Sequence, residues 1–194
     1  MNTRKSCEWT TTNESMLKYH DEEWGVPLHD DRKIFEFMIL DAFQAGLSWS
    51  IVLKKRENFR KAFDNFNAKK ISRYTEARIN KLLKDEGIIR NRLKILATIE
   101  NAKAFLKVQK EFGTFDKYIW QFTGGKPIKN KLKSLKEIPA RSKESDAMSK
   151  DLISRGFKFV GSTICYAFMQ AAGMVNDHLV TCHRYRGVYK TIKN

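Results

Sequence analysis

Apolar residues in this chain recur at steps of three and four over most of its length, and nowhere do they alternate over a convincing run; that periodicity allows helices and little else. From Asp30 to Phe43 the positions Ile34, Phe37, Met38 and Ala42 form one helical face, and Ala45-Gly46-Leu47 breaks the pattern. A second helix is predicted from about Ser48 to Phe63, with Ile51, Val52, Phe59 and Phe63 inward and Lys54, Lys55, Arg56 and Arg60 on the polar side. Thr75-Glu76 opens a third through Ile79, Leu82 and Leu83, with Gly87 placed to end it. Arg92 to Phe112 reads as a long amphipathic helix and Phe115 to Phe122 as a short aromatic one, stopped by Gly124-Gly125. Residues 126–136 hold five lysines, one proline and no acid, the pattern of an exposed loop or a weakly paired ribbon. Helical spacing returns from Ser142 to Arg155, and after the turn Phe157–Gly161 an apolar helix runs from Ser162 to Ala172. The expected class is all-α.

With 194 residues, 42% of them hydrophobic, the chain can bury one core. We expect one domain over 1–194, built of two helical lobes. The first residues contain no apolar signal region, and no stretch approaches the roughly 18 apolar residues of a membrane span. The expectation is a cytoplasmic, soluble monomer with no membrane partner. The net charge of +15 is unevenly placed: residues 1–50 hold five Lys/Arg against nine Asp/Glu, which leaves 32 against 13 in residues 51–194. A field of that sign attracts polyanions, nucleic acid first and anionic membrane second, although a charge run is often only a solvated face. Three cysteines, an odd count, argue against a disulfide framework.

Two local patterns carry chemistry. The helix, glycine-containing turn and helix around residues 145–172 match a helix-hairpin-helix, whose turn and second helix would point backbone N–H groups at a DNA phosphate. Alone this is a weak signal, since many helical pairs are joined through glycine. Cys7 and His20 near the start, and His178 and Cys182 as an H-x3-C pair near the end, offer two thiolates and two imidazoles, a set suited to tetrahedral zinc. The pair at 178 and 182 would share a face if that turn is helical. A closed Cys2His2 shell leaves no open position, so such a metal would be structural and would fasten the two ends together. The plainer alternative is buried cysteines and ordinary histidines, and His183 could compete as a ligand; Cys165, amid Ile164, Tyr166, Ala167 and Phe168, reads as core.

The blocks Tyr19-His20-Asp21-Glu22-Glu23-Trp24-Gly25-Val26-Pro27, Gln44-Ala45-Gly46-Leu47-Ser48-Trp49, Leu53–Arg60, Gly87–Asn91, Arg155–Tyr166 and Val175–His178 resemble the signature blocks of the DNA-3-methyladenine glycosylase I family, in order over roughly residues 5–185. The resemblance implies a helix-hairpin-helix glycosylase-like fold with one structural zinc held by Cys7, His20, His178 and Cys182. It implies a pocket for alkylated adenine built from Trp9, Tyr19, Trp49 and a carboxylate on the first helix. It also implies a DNA-inserting loop at Gln44, Gly46 and Leu47, with double-stranded DNA carrying alkylated purines as the partner. Where related enzymes that cut the strand have a hairpin lysine, this chain has Gly161-Ser162-Thr163, which implies base removal without lyase chemistry. Asn176 stands where the superfamily usually has a catalytic aspartate, with Asp177 one place away.

These roles are physically sensible. A base must leave the stack to be excised, aromatic faces then hold it, and a cationic N3-methylated adenine adds a cation–π attraction that plain adenine lacks. Trp24 and Trp120 read as core. The chain departs from the family at two pocket positions: Asp41 replaces a glutamate, shorter by about 1.5 Å of reach, and Met16 replaces a tyrosine. The competing expectations are a catalytically silent lesion binder of the same fold, or a glycosylase with altered base specificity. A zinc hydrolase would need an open coordination position, which a four-ligand Cys/His shell does not provide.

Overall fold

The computed structural model describes residues 5–188; the remaining ends of the expected 1–194 domain lie outside them. After a 3-10 turn at Glu8–Thr12, α1 (Glu14–Glu22) starts where the Asn13 side chain accepts from the Met16 amide at 2.8 Å. The next helix, α2 (Asp31–Gln44), is capped in the same way by Asp30. Every residue of α2 from Ile34 to Phe43 is buried. The sequence marks one face of it; the structure surrounds it on all sides with later helices, so it is the central element.

The single helix expected from Ser48 to Phe63 is two: α3 (Trp49–Lys54) and α4 (Arg56–Ala62), separated at Lys55. The break overturns two assignments. Ile51, expected inward, is 43% exposed, whereas Arg56, expected on the polar face, is 6% exposed. Its guanidinium bonds Glu36 on α2 and Glu23 just after α1, and stacks 4.9 Å from the Phe37 ring centroid. A strong ion-pair partner on a neighbouring helix outweighs the amphipathic pattern of the local segment.

Three successive residues with positive φ, Asp64, Asn65 and Phe66, lead to α5 (Ala68–Ile71) and α6 (Glu76–Lys84). The long α7 (Arg92–Phe112), capped by Asn91, and α8 (Phe115–Trp120), capped by Thr114, pack beside α2. Segment 126–136 contributes β1 (Ile128–Lys129). Then come α9 (Lys143–Ser154), α10 (Ser162–Ala171), β2 (Val175–Asn176) and α11 (Arg184–Gly187). β1 and β2 pair in parallel, Ile128 opposite Val175, the one strand pairing among the described residues. The molecule is otherwise helical.

α9 and α10 pack on each other through the connection 155–161, which Asn101 of α7 holds: its side chain accepts from the Lys158 amide at 2.7 Å and donates to the Lys158 carbonyl at 3.0 Å. At Gly173, with φ +67°, a Cβ would lie 2.2 Å from the carbonyl carbon of Val26. Only glycine lets the chain after α10 pass this close to the strand leaving α1. No described helix is long and apolar enough to cross a membrane.

Candidate active site and metal-ligand cluster

A cavity of about 320 Å³ opens between α1, α2, α3 and α10. Trp9 from the first turn, Met16 and Tyr19 from α1, Asp41 and Gln44 from α2 and Trp49 at the start of α3 line it, together with Trp24, Ile138, Ala167 and Gln170. The expected cleft beside Trp9, Tyr19 and Trp49 is therefore present. Tyr19 and Trp49 stand 5.2 Å apart between ring centroids, Trp9 and Trp24 5.1 Å. Trp24, which the sequence assigns to the core, also forms part of the wall; Ala167 and Gln170 are additions that only the docking of α10 against α2 reveals. Trp120 is core as expected, its indole N–H donating to the Leu28 carbonyl.

Two polar atoms in this wall lack partners. Asp41 is 2% exposed and its Oδ2 makes no hydrogen bond, and the indole Nε1 of Trp49 is likewise buried without an acceptor. Burial holds the Asp41 carboxyl well above the usual carboxylate range. The Tyr19 phenol is also raised, by burial first and then by the charge of Asp41. A native interior pairs nearly all its buried polar groups, so two unpartnered atoms on residues lining one cavity are a marked exception.

At the cavity rim, α2 ends at Gln44 and the chain turns through Gly46, φ +79°, to Leu47, 39% exposed. The Leu47 amide donates to the Gln44 carbonyl at 2.6 Å, closing the turn. Nothing in the local sequence marks what secures this loop. Lys94 of α7, 7% exposed, donates to the carbonyls of Phe43 and Ala45 at 2.8 and 2.6 Å, satisfying the carbonyl end of α2 with a cation. Gly161, Ser162 and Thr163 lie at the N-terminus of α10, with Gly161 as its N-cap and exposed.

Tyr19 and His20 are consecutive on α1 and so point about 100° apart. Tyr19 faces the cavity; His20 faces a second cluster. Ligand atoms of Cys7, His20 and Cys182, all buried, lie within 4.8 Å of one another, and Cys182 Sγ is 3.5 Å from His20 Nε2. His20 Nδ1 bonds Asp21 at 2.7 Å, which leaves Nε2 directed at the sulfurs. The Cys7 thiol beside it draws Cys182 down to about 4, while Cys7 itself is raised, chiefly by Cys182.

His178 lies beside this triplet, its ring centroid 4.7 Å from that of His20. Its Nδ1 bonds Asn176 Oδ1 at 2.9 Å, and its Nε2 is buried with no partner. Its ligand atoms stand outside the Cys7, His20 and Cys182 triplet, whose two thiols and one imidazole are donor types suited to a thiophilic metal. Residues 178–182 are not helical, so the condition under which the H-x3-C pair would share a helical face is not met. His183 contacts Asp21 and the Lys5 carbonyl instead. Asn176 supports His178 rather than facing the cavity. Asp177, 1% exposed, accepts from Asn130 at 2.6 Å, Tyr166 at 2.9 Å and Gln170 at 2.8 Å. Cys165 is core, with its thiol on the Val160 carbonyl.

The methyladenine glycosylase family model matches residues 9–185. DNA-3-methyladenine glycosylase 1 of Escherichia coli (strain K12) is 48% identical over 181 residues, 93% of this chain and 97% of that protein. A crystal structure of 3-methyladenine DNA glycosylase I superposes with a TM-score of 0.90 at 47% identity, covering 92% of this chain and 98% of the other. The Staphylococcus aureus enzyme, solved to explain 3-methyladenine recognition, superposes at 0.89 with 33% identity, over 92% of this chain and 95% of its own. In sequence and in fold, this chain belongs to the methyladenine glycosylase family.

Proposed function

We propose that this chain is a DNA repair glycosylase that hydrolyses the N-glycosidic bond of 3-methyladenine in DNA, the activity for which its relatives are named. The observation that carries this reading is the aromatic cavity with two unpartnered polar atoms, Asp41 Oδ2 and Trp49 Nε1. Tyr19, Trp49 and Trp9 supply ring faces for an extrahelical base, and their electron-rich faces favour a cationic purine over a neutral one. Burial raises the pKa of the Asp41 carboxyl, and a cation entering the cavity would draw it back down, because the opposite charge offsets the burial that disfavours the carboxylate. The lesion's cationic base is already a good leaving group. Holding it in place, excluding bulk water and stabilising its charge supply the remaining catalysis without a covalent nucleophile. Nothing at Gly161-Ser162-Thr163 offers an amine for strand cleavage, which supports base removal alone.

Gln44, Gly46 and Leu47 are proposed to fill the gap left by the flipped nucleotide, a role supported by Gln44 in the cavity wall and by the exposure of Leu47 three residues on. α9, its turn and α10 are proposed to form the helix-hairpin-helix, with the Gly161 end of α10 on a backbone phosphate. We read 1–194 as one glycosylase domain whose ends are joined by a structural zinc on Cys7, His20, His178 and Cys182; bound there, the metal would supply cross-linking and no reaction step. The reading is tested by incubating the protein with methylated double-stranded DNA and identifying the released bases by chromatography. Release of 3-methyladenine is the expected result; intact lesions after prolonged incubation would make the protein a silent binder. A second reading, altered base preference, is favoured by one observation: the shorter Asp41 and thioether of Met16 leave Oδ2 without a partner and no second phenol at the wall. The same chromatogram, read for other alkylated purines, distinguishes it.

A further inference from the structure

The lysine-rich stretch 126–136 has an order that its composition does not predict. From residue 128 to residue 133 burial alternates without a break: Ile128, Asn130 and Leu132 are half-buried, and Lys129, Lys131 and Lys133 between them are exposed. The inward residues are anchored in series. The Ile128 amide donates to the Met174 carbonyl at 2.9 Å, the Asn130 amide to the Asn176 carbonyl at 3.2 Å, and the Leu132 carbonyl accepts from the Val180 amide at 2.9 Å. The Asn130 side chain reaches further in, donating to the buried Asp177 carboxylate at 2.6 Å.

A period of two places alternate side chains on one face, about 6.6 Å apart. Lys129 rests with its ammonium 4.5 Å from the Tyr185 ring centroid. Among the described residues no carboxylate forms an ion pair with Lys126, Lys131, Lys133 or Lys136. The first acid after the row, Glu137, is turned back on the chain, accepting from the Lys133 amide at 2.9 Å and the Ser134 hydroxyl at 3.2 Å. Ile138, two residues beyond Lys136, already lines the cavity.

A merely solvated basic loop needs no such anchoring, and crowding like charges on a fixed backbone is unfavourable until a polyanion relieves it. We propose that segment 126–136 is a phosphate-binding rail, which grips the backbone of duplex DNA beside the site where the base enters the cavity. The proposal rests on the glycosylase reading for the choice of duplex DNA, and it adds a contact surface separate from the α10 end and the Gln44–Leu47 turn.

The test compares two sets of substitutions that remove equal charge: Lys126→Gln, Lys131→Gln, Lys133→Gln and Lys136→Gln together, and Lys61→Gln, Lys81→Gln, Lys84→Gln and Lys107→Gln together. Affinity for undamaged duplex is measured across a salt series, with thermal melting to verify folding. Each lost phosphate contact lowers the slope of log affinity against log salt by about 0.9, so four lower it by about 3.6. The expected result is a fall between these limits for the rail set, with at least tenfold weaker binding at low salt, and a smaller fall for the second set. A rail-set change below about 0.9, or an equal change in both sets, overturns the proposal. Base release by the unsubstituted protein is scored separately: a lysine-dependent slope without base release would keep the rail and end the glycosylase reading, while base release with an unaltered slope would end the rail alone.

Discussion

Asp41 and Asp177 are both almost completely buried, 2% and 1% exposed, yet their surroundings are opposite. Asp177 accepts from three side chains brought from the lysine-rich segment and from α10, and it ties them to the segment that carries His178. Asp41 has an oxygen with no partner and faces a cavity. One carboxylate serves architecture; the other is left incomplete on the side where a base would enter. The unequal treatment shows where this fold tolerates an unsatisfied polar group, and that tolerance is itself a functional signal.

The cluster of Cys7, His20 and Cys182, read as a structural metal site, would belong with Asp177 on the architectural side, and disturbing it should give the largest effect. Stripping metal with a strong chelator is expected to lower the melting temperature by about 10 °C or more, taking about 3 °C per kcal/mol for a chain of this size. An unchanged melting curve, with metal content verified before and after, would remove Cys7, His20, His178 and Cys182 from the ligand list. Next, Asp177→Ala leaves the buried Tyr166 hydroxyl and the half-buried Asn130 and Gln170 amides without their acceptor and should cost about 3 kcal/mol in urea unfolding; a loss below about 1 kcal/mol would show that the network is dispensable.

Asp41→Asn should do the reverse. Base release is expected to fall at least tenfold while stability rises at neutral pH. The sign follows from burial: the folded-state pKa of Asp41 lies above its unfolded value, so the folded form retains a proton that the unfolded chain releases. That penalty is absent below about pH 4 and grows as pH rises through the range above it. The stability gain of Asp41→Asn over the unsubstituted protein should therefore widen from pH 4 to pH 8 in thermal melts. A constant difference would place Asp41 in contact with solvent or with a partner. The smallest expected effect is Met16→Tyr, which restores a phenol to the wall and should shift the preference among alkylated purines by only a few-fold, read from competing release in one digest.

Much of this fold is legible along the chain. The helices at 30–44, 92–112, 142–155 and 162–172 are bounded by side-chain caps and glycines that act locally, and the structure has them within a few residues of their predicted ends. The helix predicted over 48–63 failed because Arg56 is drawn inward by Glu23 and Glu36, partners 33 and 20 residues away that no local window contains. Lys94 was overlooked for the same reason: on α7 it is one more basic residue, and only the approach of α2 gives it two carbonyls to cap. Trp9, Tyr19, Trp49 and Asp41 are named by the family resemblance and not by spacing, and all four line one cavity. Gln170 and Ala167 carry no such mark, since α10 reads as an apolar helix and its cavity-facing side appears only when it docks.

The sequence by itself settled where most of the longer helices run, how charge is distributed and which residues have thiol, imidazole, indole and carboxyl chemistry to offer, because each of these is encoded by side-chain type and local spacing. The tertiary structure alone decided that one buried aspartate is fully paired and another is not. It also decided that Cys7 and His20 meet Cys182 from the far end of the chain, and that the lysines of 126–136 project from a fixed backbone. Periodicity records that a residue will be buried; what it meets there depends on groups distant in the chain, brought together only when the helices pack.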